Sequence, residues 1–250
     1  MSTANAVGLL ALVVVALAIG SFAGTLVLRL PAGEGMLGRS RCRACDAILT
    51  PRELVPLASW LLQRGRCRTC GARLPYFYPA VELLALALGL WAWSAADGWL
   101  LWASCGLGWT LMTLALIDLE HQILPDLLTL PLVAAGLAVA WFAVPQVIID
   151  NLAGAAVGFA LFAIIAWAYR RWRGREGLGA GDAKLLAALG AWDGASGLPS
   201  IILIASLAAL AGALAARSFR LKGALQDRVP FGPALALAGW IVWLYGPLSL

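Results

Sequence analysis

The spacing of its charges limits this chain more than any other feature. Its 18 lysines and arginines fall into three groups, at residues 29–73, 170–184 and 217–228, and the stretches between them are apolar. Such a chain cannot cover a globule with charge: 62% of its residues are apolar and 12% charged, against about 45–50% and 25% in soluble domains. It belongs in lipid, where a spanning helix takes about 20 apolar residues, so 250 residues have room for about eight spans. A water-soluble domain is excluded. The net charge of +5 reads as membrane topology, with no nucleic-acid partner.

Cytoplasmic loops are enriched in Lys and Arg, so all three basic groups share that side and each stretch between them crosses an even number of times. The first span, 7–28, is ended by Arg29 and Pro31, which puts the N-terminus outside. Because nothing basic precedes Val7, it reads as an uncleaved span and not a signal peptide. Four spans follow, at 78–95, 100–117, 127–144 and 147–169, and Trp91, Trp93, Trp99 and Trp102 flank the first outer turn as an interfacial belt. Residues 185–192 form a short or re-entrant helix, 201–216 a full span and 231–245 a last one. The expected fold is all-α: a polytopic membrane helix bundle of about eight segments with a small cytoplasmic zinc-ribbon-like loop domain. Its parts are a first transmembrane helix (1–31), a tetracysteine domain (32–77) and a membrane core (78–250). No internal repeat is evident.

The loop carries Cys42-Arg43-Ala44-Cys45 and Cys67-Arg68-Thr69-Cys70. Two C-x-x-C knuckles at this separation are close to zinc-ribbon spacing, and the chain between them can return as a hairpin. Cys42, Cys45, Cys67 and Cys70 would fill all four positions of a tetrahedral Zn²⁺, which makes the metal structural. A reducing compartment weighs against paired disulfides, and no βαβ pattern surrounds either pair as a thioredoxin-like site would require. Eight basic and three acidic residues in 32–73 leave the zinc-loaded loop positive, suited to anionic lipid headgroups. Cys105, alone in an apolar span, reads as a small hydrophobe.

With His121 the single histidine, neither an H-E-x-x-H zinc site nor a multi-histidine site can be built, and no G-x-S-x-G is present. Carboxylates remain. Asp97 and Asp193 read as turn residues, Glu34, Glu53 and Asp227 as loop residues, Glu120 and His121 as a solvated turn, and Glu82 as a partner of a helix dipole. Asp118, followed by Asp126, and Asp182, in Gly177-Leu178-Gly179-Ala180-Gly181-Asp182-Ala183-Lys184, return by parity to one membrane face. Ionisable groups at such depth default to a functional role. Two carboxyls sharing a site do not easily both ionise, so one can activate water while the other donates a proton. Gly179 and Gly181 would let unwound backbone approach a substrate strand. Asp126 also reads as a helix-start cap, and spacing alone leaves it beside Asp118 as a candidate.

Together these residues resemble the type IV prepilin peptidases, GxGD-type intramembrane aspartic proteases of bacteria. The likeness runs from Gly20-Ser21-Phe22 and Arg29-Leu30-Pro31 through the cysteine pairs and Tyr78-Pro79-Ala80-Val81-Glu82 to Leu124-Pro125-Asp126 and Gly179-Ala180-Gly181-Asp182-Ala183-Lys184. Gly24 and Arg43 stand where the family often has Asn and Pro. The resemblance implies that Asp118 and Asp182 are the catalytic pair. It implies cleavage of the basic leader from prepilins and pseudopilins after a glycine, at the cytoplasmic face of the bacterial inner membrane. The tetracysteine loop marks members that then methylate the new N-terminus with S-adenosylmethionine. Two rivals compete: a transporter or channel component whose acids relay protons, with the cysteine loop as a docking platform, and a membrane thiol oxidoreductase, which fits poorly with bound zinc.

Overall fold

The computed structural model describes residues 3–35, 38–174, 179–218 and 230–248, with no strand among them. Gly177, Leu178, Asp227 and most of the third basic group lie outside the described residues. The α-helices are, in order, α1 (Thr3–Arg29), α2 (Ala58–Leu62), α3 (Phe77–Ala95), α4 (Gly98–His121), α5 (Asp126–Ala143), α6 (Ile148–Arg173), α7 (Ala180–Ser218) and α8 (Gly232–Tyr245). Each expected span outside 185–216 is covered by one of them to within one residue.

Between 185 and 216 the two expected segments are both helical: α7 is two helices that meet at a kink, at Gly194 (φ 74°, ψ 174°), and the first starts earlier than expected, at Ala180. Glycine takes that positive φ without a Cβ clash, and Pro199 lacks the N–H that would continue the ladder. Among the described residues six helices meet the length and composition for crossing a membrane, where about eight segments were expected. The two totals differ because α7, two helices across one kink, counts once among the six, and because α8 has 14 residues.

The chain forms two compact units, Met1–Trp109 and Thr110–Leu250. In the first, α1 packs antiparallel on α3 through small residues, as helices without a hydrophobic driving force between them do. A Cβ on Gly20 would stand 2.7 Å from Glu82 Cα, and Gly24 lies against the Tyr78 ring. Trp109 Nε1 donates to the Ala85 carbonyl (2.9 Å). After α1, the Arg29 guanidinium donates to the Gly38 and Arg39 carbonyls, at 2.7 and 3.1 Å, fixing where the cysteine loop departs.

That loop contains a repeat the sequence reading missed. Positions 25 residues apart make the same bonds: Cys42 and Cys67 N–H donate to the Ala47 and Ala72 carbonyls, Asp46 and Gly71 N–H to the Cys42 and Cys67 carbonyls, and Leu49 and Leu74 N–H to those of Ser40 and Gly65. Each knuckle is closed by one antiparallel bridge, Arg41 to Ile48 and Arg66 to Arg73. Both turn on a left-handed residue, Asp46 (φ 53°) or Gly71 (φ 71°). The hairpins are thus within the knuckles; between them the chain returns through a 3-10 turn, Pro51–Leu54, and α2.

In the second unit the first piece of α7 is the core, with Leu185, Leu186, Leu189 and Ala191 fully buried among α5, α6 and α8. Glycines set the close approaches: Gly136 against Trp192, Gly158 against Leu186, Gly154 against Gly190, and Gly239 against Leu189. The interruption at Gly194 removes helical partners from nearby carbonyls, and lipid supplies none. Asn151 Nδ2 replaces them, donating to the Ala191 and Trp192 carbonyls at 2.9 and 3.0 Å. Asp193, read as an ordinary turn residue, lies beside this break with Oδ2 buried and unpartnered among the described residues.

Candidate active site and metal centre

Asp118 lies in the last turn of α4, where a spanning helix ends, and Asp182 in the first turn of α7. Both are buried, at 6% and 8% exposure, and both belong to the second unit. The charge of Asp118 acts on Asp182 through space. Each carboxylate is held by one backbone donor. Gly232 N–H, at the start of α8, donates to Asp118 Oδ2 at 3.0 Å. Gly179 N–H donates to Asp182 Oδ2 at 3.1 Å, while Asp182 N–H returns to the Gly179 carbonyl at 3.1 Å. This is the acidic half of a capping box, so Asp182 both starts its helix and is oriented by it.

Gly181 is inside that first helical turn, not on unwound backbone as expected, and Leu124 occupies the place of its missing Cβ, 2.8 Å from where it would be. The contact draws the start of α7 against the loop that follows Asp118. Gly179 precedes the helix and is exposed.

Asp126 differs from both buried acids. It is the first residue of α5, makes no capping bond, and pairs instead with Lys184 at the surface. Paired and exposed, it lacks the burial that Asp118 and Asp182 share. Glu120 and His121 form an exposed pair at 3.7 Å, as solvated residues would.

Two groups escaped the sequence reading. Gly232 anchors Asp118, and its only sequence signal is a glycine held between prolines in Pro230-Phe231-Gly232-Pro233 ahead of an apolar run. Glu82, read as a dipole partner, is 5% exposed and accepts from Leu57 N–H (2.7 Å) and from the Ser21 hydroxyl.

In the first unit the four sulfurs of Cys42, Cys45, Cys67 and Cys70 lie within 4.8 Å of one another, with Cys42 and Cys70 Sγ 3.9 Å apart. Ligands about 2.3 Å from a tetrahedral ion stand about 3.8 Å apart, so the cluster can hold a metal. The donor set is prepared for it: N–H groups of Cys70 and Thr69 draw the Cys67 thiol down to about 6. The Cys45 thiol is pushed up to about 12; the Ala47 N–H opposes that rise, and the neighbouring thiols, Cys70 first, drive it. An ion bound here would displace the protons that these thiols share. Cys105 is buried in α4, as a small hydrophobe would be.

Comparison with known proteins agrees over both units. A family model described as the bacterial peptidase A24 N-terminal domain matches residues 14–95, and that of the type IV leader peptidase family matches residues 105–214. Relatives carrying the name prepilin leader peptidase/N-methyltransferase include one from Stutzerimonas stutzeri, 38% identical over 221 residues, covering 86% of this chain and 76% of that protein. Another, from Aeromonas salmonicida strain A449, is 41% identical over 213 residues, 84% and 72% of the two chains. A third, from Dichelobacter nodosus, is 39% identical over 208 residues, 83% and 71%. No solved structure matches. On its membrane helices, its cysteine cluster and these relatives, the chain belongs to the type IV leader peptidase family.

Proposed function

We propose that this protein removes the leader peptide from prepilins and pseudopilins and then methylates the new N-terminus, with Asp118 and Asp182 as the catalytic pair. The observation that carries the reading is the burial of two carboxylates in one apolar unit, each aimed by a backbone N–H and near enough for one charge to act on the other. Water lies between the two carboxyls. One takes its proton as the oxygen attacks the glycine carbonyl, and the other protonates the carbonyl oxygen. The intermediate collapses: the C–N bond breaks, the first carboxyl hands the proton it took from water to the leaving amine, and the second regains its own from the hydroxyl that becomes the new carbonyl. The Gly181 N–H, in the first turn of α7, lacks a helical partner and suits a carbonyl of an extended substrate strand, which would pass over the exposed Gly179 just before the helix.

The four cysteines hold a structural Zn²⁺, whose binding supplies folding energy that so small a loop lacks. S-adenosylmethionine, when bound, supplies the methyl group. The site faces the cytoplasm at the inner membrane, where the basic groups lie by the positive-inside rule, and anionic lipid contacts the loop. The test is cleavage of a synthetic prepilin by purified protein in detergent, with Asp118→Asn and Asp182→Asn beside it. Each variant should lose leader cleavage while keeping its helical content; cleavage at the normal rate by either would overturn the pair.

A further inference from the structure

We propose that the cavity between the end of α1, the start of α3 and the cysteine loop binds S-adenosylmethionine, with Glu82 as the carboxylate that holds its cationic end. The proposal rests on the methylation read above and names residues for it. The cavity measures about 600 Å³, within the usual range of small-molecule sites, and all of its lining belongs to the first unit.

The ligand's chemistry sets three demands: a desolvated anion for the sulfonium and ammonium, a cation for the carboxylate, and an aromatic wall with a donor for adenine. Glu82 is the buried anion on the wall. An ionised carboxylate accepts at about four positions, and Leu57 N–H and the Ser21 hydroxyl use two. Arg39, Arg41 and Arg73 line the cavity and suit the ligand's carboxylate. Tyr78 and Trp60 supply aromatic faces, and the Trp60 indole N–H is buried with no partner among the described residues.

The backbone beside Glu82 is also under strain. Leu57 sits at φ 57°, ψ −51°, in a tight turn closed by the Ala58 N–H on the Pro56 carbonyl (2.5 Å). Such a turn is rare and strained for a residue with a side chain, and strain of this kind concentrates at ligand clamps. Its N–H is the one that Glu82 receives, so the carboxylate holds the lip of the cavity in place.

The experiment is equilibrium dialysis of radiolabelled S-adenosylmethionine against the full-length, zinc-loaded protein in detergent. Glu82→Gln keeps size and hydrogen bonding but removes the charge, and Ser59→Phe fills the cavity with Glu82 intact. Zinc content and circular dichroism establish that each variant is folded. The wild type should bind, and each folded variant should bind at least tenfold more weakly; this result supports the site. If the wild type binds and both variants match it, the ligand sits elsewhere and the proposal fails while the methylation reading stands. If the wild type cleaves leaders yet neither binds the ligand nor transfers methyl, the methylation reading itself fails. Displacement of the label by phosphatidylethanolamine but not by S-adenosylhomocysteine would make the cavity a lipid-headgroup site and overturn the proposal.

Discussion

Replacing Gly232 by alanine perturbs Asp118 without changing any titratable group. A Cβ there would stand 2.6 Å from Asp118 Oδ2, 3.0 Å from Cγ and 3.2 Å from Cβ. Ordinary contact begins near 3.4 Å, so the carboxylate or the start of α8 must yield by about 0.8 Å. Forcing a methyl into a packed site costs about 1–3 kcal/mol, and stretching the Gly232 N–H bond gives up part of a further 0.5–1.5 kcal/mol or so. Alanine is the better helix former by about 1 kcal/mol, so backbone propensity acts in the opposite direction and cannot mimic the loss. A displacement near 1 Å at a reacting group can cost about 100-fold in rate. Gly232→Ala should therefore lower kcat for prepilin cleavage by about 100-fold with little change in KM. Gly212→Ala, where nothing lies within 4 Å, should leave both unchanged. The assay is leader cleavage by purified protein under single-turnover conditions, with helical content checked by circular dichroism. Wild-type kcat in folded Gly232→Ala would refute the view that this N–H positions Asp118.

Two more outcomes follow from the packing and the thiols. The Cys67 thiol, held at about 6 by Cys70 and Thr69 N–H groups, is depressed below its unfolded value of about 8.5. Its thiolate therefore contributes fully above that unfolded value and loses its contribution as pH falls through about 6. Zinc measured with a chromophoric chelator should stay bound above neutrality and be released on acidification, and retention unchanged down to pH 4 would count against a thiolate site. Gly190→Ala would drive a methyl into the Gly154 carbonyl, so its Tm should fall well below that of Gly212→Ala; equal Tm values would show that α6 and α7 are not in backbone contact.

Much of the architecture was legible because lipid leaves so few options. Where no water can satisfy backbone groups, an apolar run of sufficient length must be a helix, and the arginines at its ends mark the boundary. That is why α1, α3, α4, α5, α6 and α8 lie where hydropathy put them. The cysteine cluster was legible for a similar reason: thiolate spacing is dictated by the geometry of one ion, and short knuckles bring their own two sulfurs together. The 25-residue repeat is written in the sequence as well, since Arg41, Cys42, Arg43, Cys45, Ala47 and Leu49 recur as Arg66, Cys67, Arg68, Cys70, Ala72 and Leu74, and the two copies make the same backbone hydrogen bonds.

Composition, charge and spacing by themselves determined that this chain is a helical membrane protein with a metal-capable loop and a small set of candidate acids. Only the tertiary structure separated those acids, since it depends on contacts between residues far apart in the chain. Asp126 meets Lys184 at the surface, whereas Asp118 is buried and receives a donor from Gly232, 114 positions away. The same holds for Glu82, whose role turns on Leu57 and Ser21, and for α7, whose break at Gly194 is tolerated because Asn151 takes up the carbonyls it releases. Hydropathy measures the cost of moving one residue into lipid; it carries no information on which partner that residue will find there.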